Sequence, residues 1–160
     1  MDGIFPENLA ALEIRYRTTA TIVLGQIIFT IILTIAVLLF IPKTTETNAI
    51  SQQTLTTLWA AIMFLAVGAF VLRRMFFRWD RLKDITILKG AAGLLRTLQN
   101  NAIILAVFAT LLTIVGCVIT VLSGEMFDVI RAEIVALIVF VINFPRKAVW
   151  SKIVTDMEKI

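Results

Sequence analysis

Hydrophobic positions fall in long uncharged blocks, not in the short alternations of a soluble fold. Thr18 to Pro42, Thr47 to Leu72 and Thr97 to Gly124 carry no charge over 25, 26 and 28 residues. A helix crossing the hydrocarbon core needs about 20. A fourth block, Ile134 to Pro145, reaches 20 residues only when extended back to Met126. The pattern predicts an all-α membrane protein with four transmembrane helices, over 19–41, 54–73, 98–122 and 127–145. They form a single integral membrane domain. Residues 1–18 are an amphipathic lead-in, 74–96 a basic connection and 146–160 a tail.

The lead-ins to the first and third helices resemble one another. Leu9 to Gly25 lies over Gly90 to Ala106 without a gap at a shift of 81 residues, matching Ala10, Ala11, Arg15, Ile22 and Leu24 with Ala91, Ala92, Arg96, Ile103 and Leu105. Such a repeat predicts two tandem helical hairpins related by an axis along the membrane normal, as in parallel-repeat membrane proteins. The third helix also carries a stripe of small residues: Ala102, Ala106, Ala109, Thr110, Thr113, Gly116, Cys117 and Thr120. Small side chains let helices approach closely in lipid, so this face is expected to pack against protein.

The period of the second helix continues past Leu72 through Met75, Phe76, Trp79 and Leu82, beside Arg73, Arg74, Arg78, Arg81 and Lys83. The tail repeats the scheme with Trp150, Ile153, Val154 and Met157, and the N-terminus with Phe5, Leu9, Leu12 and Tyr16. These are amphipathic cytoplasmic extensions. Basic aromatic stripes suit anionic lipid or an acidic partner subunit. Arg73, Arg74, Arg78, Trp79, Arg81, Lys83 and Trp150 are the candidate contacts.

Composition changes little in this picture. Hydrophobic residues make up 59% of the 160, above the roughly 45–50% of soluble domains. Thirteen of the fifteen Lys and Arg residues fall in the two termini and the connection between helices two and three, leaving Lys43 and Arg131 for the other side. The positive-inside rule then places both termini in the cytoplasm, most simply at a bacterial inner membrane. There is no histidine, which removes the commonest general base and metal ligand. With one cysteine, no phosphate loop and no nucleophile elbow, the chain reads as a non-enzyme without cofactor or metal. Nothing resembles a nucleic-acid recognition motif.

The fourth block holds the unusual chemistry. Asp128 and Arg131, three apart, share a helix face and can pair. Glu133 points nearly opposite to Arg131, about 9 Å deep if hydrocarbon begins near Phe127. Thr34, Thr57, Thr113 and Cys117 lie at a similar depth. Glu133 is therefore protonated, or faces water, or meets a partner from another chain. Gln26 and Asn143, nearer the cytoplasm, are expected to make interhelical hydrogen bonds. A carboxylate in the last of four helices is also similar to the duplicated proteolipids of rotary ATPases. Those rings, however, need glycine- and alanine-rich inner helices, and with seven glycines in all this chain fails that comparison.

The leading expectation is a non-catalytic membrane subunit that stabilises a larger complex, with other membrane proteins and anionic lipids as partners. The alternative is a small oligomeric ion- or proton-conducting or transport protein using Glu133 and Arg131. A third, lipid-binding or membrane-shaping role would rest on the basic stripes.

Overall fold

The structure is a computed structural model that describes residues 6–40 and 51–158; Phe5, Lys43 and Lys159 lie outside them. Five helices follow one another: α1 (Pro6–Phe40), α2 (Gln52–Phe76), α3 (Trp79–Ser123), α4 (Met126–Asn143) and α5 (Lys147–Glu158). Three of them, α1, α2 and α3, are long and apolar enough to cross a membrane. In α4 the charges of Asp128, Arg131 and Glu133 fall within 18 residues, so apolarity alone does not mark it as a span.

Antiparallel α3 and α4 form the central pair, with α1 and α2 each packed on both. At their crossing, Gly116 faces Ala132, and a Cβ on Gly116 would collide with the Ala132 methyl. The small-residue stripe of α3 is the buried one: Ala102, Ala106, Ala109, Thr113, Gly116, Cys117 and Thr120 are all enclosed, with Thr110 half-buried. A two-residue turn, Gly124 and Glu125, joins the pair. Gly124 takes φ 72°, and its N–H closes α3 on the Thr120 carbonyl, which glycine does without a Cβ penalty.

The α1 and α2 backbones do not approach one another among the described residues. The first proposed hairpin is thus not a packed pair, because α3 and α4 take up the facing surfaces of both its arms. α1 instead packs along α3. Arg15 donates to Gln99, 84 positions on, at 3.1 Å, and farther along Thr30 and Thr34 share a partner with Thr113. The two helices run in the same direction at nearly constant offset, close to the 81-residue shift.

The α2 stripe does not continue unbroken into α3. The helix stops at Phe76 and Arg78 is extended (φ −64°, ψ 130°), although no Gly or Pro lies between residues 69 and 89. The break lets Phe77 turn onto a second core at the end of the bundle, built from Leu12 of α1, Leu82, Leu94 and Leu98 of α3, and Trp150, Val154 and Met157 of α5. Gly90, at φ 65° and ψ −174°, bends α3 between Leu82 and Leu94; that conformation is essentially glycine-only. Tyr16 meets Trp150 edge to face at 6.2 Å. Lys147 of α5 bonds Glu13 of α1. That bond, and a second from Arg17, hold the Glu13 carboxyl below its ordinary range.

Candidate functional site

Glu133 sits one residue past the Gly116–Ala132 crossing, so this close helix approach sets where its carboxyl lies. The residue is 7% exposed. Thr113 Oγ1 of α3 donates to Oε2 at 2.6 Å. From α1, Thr34 Oγ1 donates to Oε2 at 3.4 Å and Thr30 Oγ1 lies 3.1 Å from Oε1. All three threonines are buried. Several other threonine hydroxyls turn back to a carbonyl of their own helix, as in Thr18, Thr19, Thr56, Thr86, Thr97 and Thr155. Thr34 and Thr113 instead reach across to another helix. No Lys or Arg pairs with Glu133 among the described residues.

Two of the four groups expected at this depth, Thr34 and Thr113, reach the carboxyl. Thr57 is exposed and bonds the Gln53 carbonyl of its own helix, because α2 flanks the central pair away from α1. Cys117 is buried as a packing residue. Thr30 was not anticipated. Its signal was present: Thr30 and Thr34, four apart, stack on one face of α1.

Asp128 is also buried. Its Oδ2 accepts from Ser123 Oγ at 3.1 Å, and its Oδ1 lies 3.5 Å from Arg131, whose side chain is 65% exposed. The expected pair therefore forms at the α3–α4 turn, apart from Glu133. Gln26 and Asn143 do not supply the expected interhelical bonds through their oxygens. Asn143 Nδ2 donates to Val139 of its own helix, and Gln26 Oε1 and Asn143 Oδ1 have no partner. Asn101 Nδ2 and Thr120 Oγ1, also buried, share that condition.

The basic-stripe residues separate by burial. Arg74, Arg78, Arg81, Lys83 and Trp79 are exposed and Arg73 is half-buried; Arg81 stacks its guanidinium on Phe76 at 5.0 Å. Trp150, expected at lipid or a partner, is 2% exposed. With Ile153, Val154 and Met157 it packs inside this chain's own core, since α1 and the first limb of α3 cover the apolar face of α5.

Glu133 and three hydroxyls from two neighbouring helices thus bring five oxygens together inside the bundle. The chain matches no protein-family model, no curated protein and no solved structure.

Proposed function

We propose that this chain is a small ion-handling membrane protein in which Glu133 takes up and releases a proton in the course of conduction or transport. The observation that carries the reading is the enclosed carboxyl, met by threonine hydroxyls from α1 and α3 and, among the described residues, by no cation. Ionisable groups held inside a bundle are costly and mark ion pathways and proton relays. Thr30 Oγ1 lies within donating reach of both the Ile27 carbonyl, at 2.9 Å, and Glu133 Oε1, at 3.1 Å.

Buried polar atoms without partners flank the cage along the bundle: Thr120 Oγ1 toward the α3–α4 turn, and Gln26, Asn101 and Asn143 toward the other end. Leaving such an atom unpaired costs about 1–3 kcal/mol, and positions of this kind suit a hydrated path. The proposal takes α4 as a fourth span. Its 18 residues reach about 27 Å, close to the hydrocarbon thickness of about 30 Å. Asp128 and Glu133 are enclosed by protein, while exposed Arg131 can snorkel toward headgroups. By the positive-inside rule both termini are cytoplasmic.

The test is proton flux in vesicles reconstituted with the purified chain. Wild type should dissipate an imposed pH gradient and Glu133→Gln, which keeps hydrogen-bonding capacity, should not. A fully active Glu133→Gln would overturn the proposal. Equally Glu133-dependent sodium flux without proton flux would replace the proton by a cation.

A second reading, a subunit of a larger membrane complex, is favoured by the apolar faces of α1 and α2. Leu39, Phe40, Phe64 and Phe70 are 60–82% exposed. Gentle extraction followed by mass analysis separates the two: fixed-stoichiometry partners favour the subunit, a homogeneous homo-oligomer favours conduction.

A further inference from the structure

A groove of about 290 Å³ runs between α2 and α4, walled by Ala66, Val67 and Phe70 on one side and Val135, Ile138 and Val139 on the other. It is apolar almost throughout. Both helices run the same way, and from Ala66 to Arg73 α2 advances about 10 Å. At its lower end, beside Ile142 and Asn143, the groove meets a second pocket of about 460 Å³. This one is lined by Arg73 at the end of α2 and Arg146 just past α4, with Trp79 and Trp150 among its walls. Neither Arg73 nor Arg146 forms an ion pair among the described residues. Glu133 lines neither space, so the two are separate from the carboxyl cage.

We propose that groove and pocket together bind one anionic phospholipid, an acyl chain lying along α2 and α4 and the phosphate held between Arg73 and Arg146. The order of chemistries along the axis is that of the lipid itself. An apolar channel at bilayer depth gives way, within two turns, to two unpaired guanidiniums and a half-exposed tryptophan at headgroup level. Arginine forks suit phosphate oxygens, which accept two parallel N–H bonds, and tryptophan settles at the membrane interface. A soluble anion would use the arginines and leave the groove without a role; a neutral lipid would leave the arginines without a counter-charge. The proposal rests on membrane insertion of α2 and α4, not on proton transfer at Glu133.

The experiment is native mass spectrometry of the purified full chain in detergent, titrated with phosphatidylglycerol or with phosphatidylcholine of the same chains. One phosphatidylglycerol should be retained in preference to phosphatidylcholine. An Arg73→Gln, Arg146→Gln double variant should weaken retention about tenfold or more, the loss of two charge-assisted contacts. The charge-matched pair Lys89→Gln, Lys152→Gln, at exposed positions outside the pocket, should leave it unchanged. Val67→Phe, at a 57% exposed groove position where folding is not at stake, should weaken it by filling the channel. Equal retention of both lipids, or equal losses in the two double variants, would reduce the lipid to a non-specific annulus and overturn the proposal. Loss with the Arg73 and Arg146 pair but none with Val67→Phe would also overturn it, leaving a phosphate site without an acyl groove.

Discussion

Thr113 is the shortest link to Glu133, and its hydroxyl has given up the carbonyl of its own helix to make it. Thr113→Val keeps shape and removes that donor, so it should cost about 0.6–2 kcal/mol, the range for a hydrogen bond between helices in lipid. Thermal or denaturant unfolding in micelles would check this. In the proton-handling account it should also alter flux, because one of the groups that holds the carboxyl is gone; unchanged flux with lowered stability would make the cage a structural clasp. Glu133 itself was visible in the sequence as a charge inside an apolar block, and depth counting reached Thr34 and Thr113. Depth alone could not exclude Thr57 or find Thr30, since it does not say which helix flanks which.

Between elements, the α3–α4 crossing sets the geometry of the cage. Gly116→Val would push against the Ala132 methyl and force the helices apart beside Glu133. Overpacking of this kind costs about 1–3 kcal/mol, measurable as a lowered melting temperature, and Glu133-dependent flux should fall with it. The small-residue stripe on α3 was readable, because its spacing follows the helix period and no other residue type permits the approach. The stop after Phe76 was not readable. Local sequence there favours helix, and only the packing of Phe77 into the second core explains the turn.

For the molecule as a whole, apolar surface is buried in two settings. The long core along α1 to α4 is surrounded by apolar side chains that lipid would contact equally well, so close packing and hydrogen bonds hold it. The end core around Trp150 packs helices that carry charge on their other faces, and the hydrophobic effect acts there. Trp150→Ala should cost about 3–5 kcal/mol and release α5, seen as protease cleavage near Lys152 while α1 to α4 stay protected. The amphipathic period of the tail was legible, but one amphipathic face fits a membrane surface and a folded core equally. That Leu12 and Leu82 would meet it depends on the bend at Gly90, whose conformation no periodicity announces.

The measurement that bears most directly on the proton account is infrared difference spectroscopy of the purified chain in lipid, wild type against Glu133→Gln. A protonated carboxyl absorbs apart from a carboxylate. The account predicts a protonated-carboxyl band in wild type, shifted by exchange into heavy water and missing from Glu133→Gln. A wild-type spectrum with the carboxylate band alone lost on substitution would contradict it, and would mean that Glu133 is held ionised by its three hydroxyls.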